Sequence, residues 1–273
     1  MAYKRILTMQ DISCIGQCSV TVAMPILSAC GHECCILPTA VLSTHTGGFG
    51  KQAVHHLGDD LERILAHWKG QGIDFDCILV GYLGSCEAVR RAETVVDTML
   101  APGGVVVVDP AMADHGRLYS GLDEAYAKAM GDLCRKADVM LPNITEACMM
   151  TGMPFAEQPD ENFIRELLES LGGKTVILTG AGFSSDQTGA AVREAGNVRF
   201  IHHPKVGKSF HGTGDIFAAC FTGAYMQGKS SVEAVKIAAE YTLRCIEETV
   251  AAPAHWYGVK FETVLPWLIK KLF

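Results

Sequence analysis

Short runs of β-branched and other apolar residues alternate with longer amphipathic stretches along most of this chain. That alternation is typical of repeated βαβ units, which place parallel strands in one sheet with helices packed against it. The pattern predicts strands at residues 4–8, 33–37, 77–81, 105–108, 138–141 and 175–179. It predicts helices at residues 19–29, 59–70, 87–100, 123–136, 161–171, 213–227, 231–250 and 261–271.

Two segments refine the predicted sheet. Residues 105–108 are four consecutive valines with no polar alternation, which indicates a central strand covered on both faces. Residues 189–193 and 197–202, joined around Gly196, are typical of an antiparallel hairpin at the edge of a sheet. With 273 residues and no repeat or linker, the chain is expected to form a single α/β domain over residues 1–273.

Charge and hydropathy exclude some classes of partner. The net charge is −7 and no basic block occurs, which argues against nucleic acid or an anionic membrane as a partner. No apolar run approaches the roughly 18–20 residues of a membrane span. The first residues enter a strand-like segment with no signal peptide, so a cytoplasmic protein is expected.

The eleven cysteines predict neither disulfides nor a metal site. A large chain without a leader is an improbable disulfide scaffold, and the paired Cys-x-x-Cys spacing of zinc sites does not occur. Most of these cysteines alternate with aliphatic residues. They are expected to be small core residues.

The segment Gly212, Thr213, Gly214 and Asp215 is followed at once by an apolar helical run. A glycine turn that opens a helix points several backbone N–H groups in one direction and forms an anion site. An aspartate there would repel a resting phosphate, but it could take a proton from a hydroxyl that attacks phosphorus. The pairing therefore indicates phosphoryl transfer. The alternative is an ordinary glycine turn with an aspartate in the first helical turn.

Polar or glycine-containing turns follow nearly every predicted strand, where ligands of parallel sheets gather. Carboxylates in these turns could hold Mg²⁺ directly or through waters, and the candidates are Asp109, Asp114 and Glu146. The alternative is that each of these acids caps the helix that follows it.

Several of these segments together resemble a known family. They are the runs at residues 81–85 (Gly-Tyr-Leu-Gly-Ser), 109–112 (Asp-Pro-x-Met), 142–146 (Pro-Asn-x-x-Glu) and 212–215 (Gly-Thr-Gly-Asp). In this order and at these separations the chain resembles the pyridoxal kinases, the vitamin-kinase branch of the ribokinase-like superfamily. The resemblance extends from about residue 6 to about residue 239.

The resemblance implies a three-layer α/β/α domain that transfers phosphate from MgATP to the 5′-hydroxymethyl group of pyridoxal, pyridoxine or pyridoxamine. It implies that Asp215 is the catalytic base and that Gly212, Thr213 and Gly214 form the anion hole. It further implies an ATP and Mg²⁺ site at Asp109, Asn143, Glu146 and Thr179. Contacts with the pyridine ring are implied at Gln10, Asp11, His45, Thr46, Gly47 and Tyr82. A monovalent cation such as K⁺ and a homodimer are also implied.

Two loops and two lysines complete the expected site. Closure of residues 43–51 or 203–210 would exclude water from the reacting groups. Lys205 and Lys208, just before the anion turn, are the nearest candidate cations for the phosphates, although both could equally be solvated loop lysines.

One departure leaves the acceptor open. Many pyridoxal kinases have Gln-Ser-His after the first strand, whereas this chain has Gln10, Asp11 and Ile12. Asp11 could accept from the ring's phenolic O–H or pair with the ring nitrogen, but an aspartate there also resembles the hydroxymethylpyrimidine kinases. The alternatives are therefore a hydroxymethylpyrimidine kinase or a regulator that binds vitamer or nucleotide without turnover.

Overall fold

The structure is a computed structural model and describes residues 3–184, 186–207 and 210–273. Its strands are β1 (Arg5–Ser13), β2 (Glu33–Leu42), β3 (Val54–His56), β4 (Phe75–Val80), β5 (Leu100–Val108), β6 (Ala113–Asp114), β7 (Arg117–Leu118), β8 (Val139–Met140), β9 (Thr175–Thr179), β10 (Gln187–Glu194) and β11 (Asn197–Pro204). In the main sheet they lie in the order β11-β10-β9-β8-β5-β4-β1-β2-β3, and β6 pairs with β7 separately. The central strands are parallel, while β3, β10 and β11 form antiparallel edges.

Helices cover both faces of this sheet. They are α1 (Val20–Ala29), α2 (Gly58–Gly70), α3 (Cys86–Met99), α4 (Glu124–Lys136), α5 (Ile144–Thr151), α6 (Glu161–Leu171), α7 (Thr213–Met226), α8 (Ser231–Val250) and α9 (Leu265–Leu272). One apolar layer contains buried side chains of α1, α7, α8 and α9. The other contains buried side chains of α2, α3, α4, α5 and α6. The fold is therefore the three-layer α/β/α arrangement with an antiparallel edge hairpin that the sequence and its resemblance predicted.

Strand β5, which ends in the four valines 105–108, shows why helices cover both faces of the sheet. Val107 packs into the layer of α1 and α7, whereas Val106 and Val108 pack into the layer of α3 and α4. Successive side chains of a strand point to opposite faces, so a strand of apolar residues needs an apolar partner on each side. The prediction of a central strand at residues 105–108 is confirmed.

Side-chain caps define where several helices begin. Ser85, Asp123 and Asp160 accept hydrogen bonds from the backbone N–H three residues further on, at the starts of α3, α4 and α6. Such caps satisfy N–H groups that have no partner inside the helix. This local chemistry explains why the predicted starts of these helices lie within one residue of the observed ones.

The first two strands are longer than predicted, and this matters for the site. β1 continues from residue 8 to Ser13 and β2 from residue 37 to Leu42, so Gln10 and Asp11 lie within β1 rather than in a turn after it. The pairing register of β1 and β2 shifts between Gln10 and Ile12, because Thr39 and Ala40 of β2 form a β-bulge opposite Asp11. Buried polar residues near the carboxyl end of the strand hid this extension from a hydrophobicity pattern. Helix α5 and strands β3, β6 and β7 were not predicted, because each is short.

The described residues contain no helix long and apolar enough to cross a membrane. All eleven cysteines are described and free of disulfides. Seven are buried, as predicted for core residues, at positions Cys18, Cys30, Cys77, Cys134, Cys148, Cys220 and Cys245.

Candidate active site

The anion turn lies at the start of α7. Gly212 has a φ of 85°, a left-handed conformation that favours glycine, and a Cβ at this position would lie 2.3 Å from the carbonyl oxygen of Gln17. Thr213 opens the helix and its hydroxyl donates to the Phe210 carbonyl oxygen at 3.3 Å. No side chain caps the helix at Gly212. The first N–H groups of α7 are therefore available to an anion.

Asp215 stands in the first turn of α7 and is partly buried. Its pKa is raised to about 7, chiefly by burial and also by the charge of Asp11, while the backbone N–H of Ser19 opposes the rise. A carboxylate with a pKa near neutrality can accept a proton from an alcohol in the transition state and release it afterwards. The position and pKa of Asp215 suit a general base.

Asp11 is buried in β1, opposite the bulge of β2, and is held by two serines. Its Oδ2 accepts from the Ser13 hydroxyl at 2.9 Å and its Oδ1 accepts from the Ser19 hydroxyl at 2.6 Å. The sequence had suggested that a ligand would have to supply a donor to this carboxylate. The protein itself supplies two donors, so Asp11 contributes negative charge beside Asp215 without requiring a donor from the substrate.

The Gln10 side chain, in β1, lies against Gly81, the residue that follows β4. The Gln10 Nε2 donates to the Thr8 hydroxyl at 2.8 Å, and its Oε1 has no hydrogen-bond partner among the described residues. A Cβ at Gly81 would lie 2.8 Å from the Gln10 side chain, so glycine is needed for this close approach. Burial and the charge of Asp11 raise the pKa of Tyr82, which keeps its hydroxyl protonated.

His45 brings the loop after β2 to the anion turn. Its backbone N–H donates to the Ile15 carbonyl oxygen at 2.7 Å, its Nδ1 accepts from the Gly47 N–H at 3.0 Å, and its ring lies 4.9 Å from that of His211. Burial lowers the pKa of His45, His211 lowers it further, and Asp11 opposes both. Thr46 is exposed at the same loop. The structure thus brings the candidate ring contacts of β1 and this loop close to residue 211, beside the anion turn.

Asn143 and Glu146 form a capping box at the start of α5. The Glu146 N–H donates to the Asn143 Oδ1 at 2.9 Å, and the Asn143 N–H donates to the Glu146 Oε2 at 2.8 Å. The other carboxylate oxygen accepts from the N–H groups of Met112 at 3.0 Å and Ala113 at 3.4 Å. The capping alternative is therefore correct for Glu146, which ties the strand-end turn after β5 to α5.

Asp109 lies between this capping box and the anion turn. Burial, the charge of Glu146 and the charge of Asp215 raise the pKa of Asp109 well above its ordinary value. Burial also raises the pKa of Glu146 to about 7, although three backbone N–H donors lower it and Asp114 adds to the rise. Asp114 itself is exposed and lies 3.6 Å from the His115 ring nitrogen.

Asp109 and Glu146 have raised pKa values, so two ionised carboxylates are unfavourable here unless a cation neutralises them. Burial is the main cause of both raised pKa values, and a cation beside Asp109 would offset that burial and the charges of Glu146 and Asp215. The described residues hold no group of three or more metal-ligating side chains. Mg²⁺ often binds through one or two carboxylates, waters and substrate phosphates, so this set suits Mg²⁺ delivered with a nucleotide.

Thr179 and Lys205 lie further along the sheet. Thr179, at the end of β9, forms a β-bridge with Asn143, and its N–H donates to the Pro142 carbonyl oxygen at 2.9 Å. Lys205 is exposed directly after β11, with its N–H donating to the Asp186 carbonyl oxygen at 2.8 Å. Lys208 lies outside the described residues. The structure therefore joins Thr179 to the Asn143 end of the site and leaves Lys205 on the surface.

An aromatic cluster fastens the loop 43–51 to the chain before α9. The Phe49 ring lies 4.7 Å from that of Trp256 and 5.2 Å from that of Tyr257. Gln17 joins the same region, because its Oε1 lies 2.9 Å from the His255 Nε2 and its Nε2 donates to Glu262 at 2.8 Å. Of the two loops expected to close, this one is anchored at its tip, and part of 203–210 lies outside the described residues.

Sequence analysis missed Ser13, Ser19 and His211. The two serines lie within nine residues of Asp11, but nothing in a linear pattern shows that their hydroxyls point at one carboxylate. His211 directly precedes the anion turn, so its position in the chain was an available signal. Its approach to His45 arises only from the fold.

An anion turn followed by Asp215, beside the acids Asp109 and Glu146 near the carboxyl ends of parallel strands, is the arrangement expected of a phosphotransferase that acts on small molecules. The family model of phosphomethylpyrimidine kinase matches residues 26–259. The chain belongs to this phosphomethylpyrimidine and pyridoxal kinase family, and it is a kinase. This confirms the resemblance found in the sequence motifs.

Solved structures agree with this assignment. The pyridoxal kinase of Lactobacillus plantarum is 32% identical with a TM-score of 0.91, covering 99% of this chain and 98% of that one. A putative phosphomethylpyrimidine kinase of Bacteroides thetaiotaomicron, solved with pyridoxal, is 33% identical with a TM-score of 0.91, covering 98% and 96%. Among sequences, the hydroxymethylpyrimidine/phosphomethylpyrimidine kinase of Bacillus subtilis is 27% identical over 78% of each chain.

Proposed function

We propose that this kinase phosphorylates the 5′-hydroxymethyl group of a vitamin B6 vitamer (pyridoxal, pyridoxine or pyridoxamine) with MgATP. The observation that carries the proposal is Asp215, a carboxylate with a pKa of about 7 in the first turn of the helix that follows the anion turn. A primary alcohol must lose its proton as it attacks phosphorus. In this proposal Asp215 takes that proton.

The residues divide the work between the two substrates. The acceptor binds against Gln10, His45, Gly47 and Tyr82, with its hydroxyl toward Asp215. The first N–H groups of α7, at Gly212, Thr213 and Gly214, receive the transferring phosphoryl group. Asp109 and Glu146 would hold Mg²⁺ with the nucleotide. Asn143 fixes Glu146 through the capping box, and Thr179 lies beside Asn143. Mg²⁺ supplies neutralisation of the charge on the phosphates.

Hydroxymethylpyrimidine is the second candidate acceptor, and Asp11 favours it. An aspartate replaces the serine found in many pyridoxal kinases, and the Bacillus subtilis relative is named for this activity. Both acceptors present a hydroxymethyl group on a flat nitrogen heterocycle. The same base and anion turn therefore serve either reaction.

An ADP-release assay with the three B6 vitamers and hydroxymethylpyrimidine decides between the acceptors. We expect the highest kcat/KM with a B6 vitamer, and a higher value with hydroxymethylpyrimidine would contradict the proposal. Binding of vitamer or nucleotide without product from any of the four would instead identify a regulator. Replacing K⁺ by Na⁺ in the assay tests the monovalent cation, and sedimentation of the active protein tests the homodimer.

A further inference from the structure

Gly47 lies against two imidazole rings. A Cβ added at this position would lie 2.8 Å from the Nε2 and 3.0 Å from the Cε1 of His211, and 3.0 Å from the Cε1 of His45. The φ of Gly47 lies outside the left-handed region that favours glycine, so its backbone would accept a side chain. What glycine provides at this position is room for the two rings.

The two rings are also in contact with each other. Their centroids lie 4.9 Å apart and their planes are inclined by 46°, a separation at which aromatic rings pack. His45 belongs to the loop after β2, and His211 directly precedes Gly212. The contact therefore joins the loop 43–51 to the anion turn.

The backbone of His45 is fixed by the segment after β1. Its N–H donates to the Ile15 carbonyl oxygen at 2.7 Å, and a Cβ at Gly16, whose φ is 140°, would lie 2.3 Å from the His45 Cβ. The His45 Nδ1 accepts from the Gly47 N–H at 3.0 Å, so the neutral ring carries its proton on Nε2. The ring has a defined tautomer on a fixed backbone, and His211 packs against it.

His211 is held by the turn in which it lies. The Thr213 hydroxyl donates to the Phe210 carbonyl oxygen at 3.3 Å, which closes the chain around residues 211 and 212. His211 itself is exposed, so burial does not fix its ring. The position of the ring depends on the room beside Gly47 and on the contact with His45.

We propose that His211 is a positioning residue for the acceptor: by packing on Gly47 and His45, it fixes the loop 43–51 and the His45 imidazole beside the anion turn. The inference rests on the proposed function, in which the acceptor binds against His45 and Gly47. A Cβ at residue 47 would displace the exposed His211 ring. Gly47→Ala and His211→Ala therefore remove the same contact, one by crowding and the other by deletion.

The test compares these two variants and the double variant with the wild-type chain. Titration calorimetry gives the Kd, and steady-state rates give the KM, for the best acceptor of the four-compound assay, or the Kd for pyridoxal if none is turned over. In each single variant we expect the Kd and the KM of the acceptor to rise about 3- to 10-fold, as the loss of one ring pair predicts. The KM for ATP should stay within about twofold, because the contact holds only the acceptor loop. A rise of less than about threefold in the acceptor Kd of His211→Ala would overturn the proposal.

The double variant shows whether the two changes act through one contact. Adding Gly47→Ala to His211→Ala should weaken acceptor binding by less than about threefold more, since the ring that the Cβ displaces is already absent. A larger further loss would mean that the new methyl group meets the acceptor itself, and would overturn the proposal.

The contact can also be observed without turnover. We expect a nuclear Overhauser effect between the His45 and His211 ring protons in the wild-type chain, and its loss in Gly47→Ala. Its absence from the wild-type chain would overturn the proposal, also if His211→Ala proves unable to fold.

Gly70→Ala is the matched control for Gly47→Ala. Gly70, at the end of α2, also has a φ outside the left-handed region, and a Cβ added there would meet nothing within 4 Å. Gly70→Ala should leave the acceptor Kd unchanged. Binding of pyridoxal without turnover of any acceptor would refute the proposed function, while the Kd values would still test this inference. Absence of both binding and turnover in the wild-type chain would overturn the two together.

Discussion

The ionised form of Asp215, which the proposed reaction requires, is also the form that lowers the stability of the folded protein. Burial first and the charge of Asp11 second raise its pKa from 3.8 to about 7. A base needs the ionised form, so kcat/KM should rise with pH and level off above about 7. The native state binds the Asp215 proton more tightly than the unfolded chain does. The free energy of unfolding therefore decreases as the pH rises from about 4 to above 7.

Asp215→Asn tests both demands at once. We expect kcat to fall by ~10²–10⁴ with little change in ATP affinity, and the rise of activity near pH 7 to disappear. At pH 8 the variant should be more stable than wild type by about 1–3 kcal/mol, because a destabilising buried charge is removed. Steady-state rates and thermal unfolding at pH 5 and 8 measure these effects.

The comparison between the two pH values is the control for this prediction. At pH 5 the wild-type carboxyl is protonated, so the gain in stability should shrink. Near wild-type turnover in Asp215→Asn would remove Asp215 from the mechanism.

At the scale of elements, Gly212 at the start of α7 is needed both for its backbone conformation and for lack of space for a side chain. Gly212 has a positive φ and also packs against the Gln17 carbonyl oxygen. Gly228, just beyond the same helix, has a φ of 92°, and a Cβ added there would meet nothing within 4 Å. Substitution of Gly228 therefore tests backbone strain alone, whereas substitution of Gly212 tests strain together with a steric clash.

Gly212→Ala and Gly228→Ala make the matched pair. We expect Gly228→Ala to cost about 1 kcal/mol from strain alone and to keep its activity. Gly212→Ala should cost about 2–4 kcal/mol, since the Cβ displaces the segment before α1, and should lower kcat at least tenfold. Denaturant unfolding and the ADP-release assay provide both numbers, and equal behaviour of the two variants would show that the close approach is unimportant.

Helix α5 begins with a capping box whose acid also faces the proposed metal site. The same motif begins α8 at Ser230 and Glu233, on an exposed surface. If Glu146 both caps and holds Mg²⁺, its two roles can be distinguished by comparison with Glu233, which only caps.

Glu146→Gln should raise the Mg²⁺ concentration for half-maximal activity by about tenfold, and excess Mg²⁺ should partly restore the rate. Glu233→Gln should lower the Tm slightly and leave the Mg²⁺ titration unchanged. The comparison is made by titrating both variants with Mg²⁺ at a constant, saturating ATP concentration. An unchanged Mg²⁺ requirement in Glu146→Gln would restrict Glu146 to capping.

At the scale of the whole molecule, the site joins distant parts of the chain. The loop after β2 carries His45 and Phe49, and the segment before α9 holds Phe49 through Trp256 although 58% of Trp256 is exposed. Exposed aromatic side chains in contact contribute about 0.5–1.5 kcal/mol. That is sufficient to bias a loop between open and closed states without fixing it.

Trp256→Ala should therefore act on binding of the acceptor. We expect its KM to rise about 2- to 10-fold while kcat changes less, and ADP release without acceptor to increase because water enters the site. Ile269→Ala, an exposed apolar side chain on α9, is the control and should change neither quantity. Unaltered KM and unaltered acceptor-free hydrolysis in Trp256→Ala would show that the aromatic cluster does not control access.

The sequence by itself determined the elements and the chemistry of the reacting groups. Apolar periodicity fixes strands and helices locally, and the motif at 212–215 places anion donors and a base within four residues. For that reason the parallel sheet, the valine strand and the edge hairpin were predictable, while the kinase family came from the resemblance of four motifs to known sequences. The capping signature Asn143-x-x-Glu146 was equally visible, although its structural role had to be chosen from two alternatives.

Only the tertiary structure decided how the acids of the site are held. The Ser13 and Ser19 hydroxyls meet on the Asp11 carboxylate, and the approach of Gln17 to Gly212 joins segments almost 200 residues apart. The pKa values of Asp109, Glu146 and Asp215 likewise arise from burial and from neighbours on other elements of the fold. Such interactions depend on distance in space, and a linear pattern contains only distance along the chain.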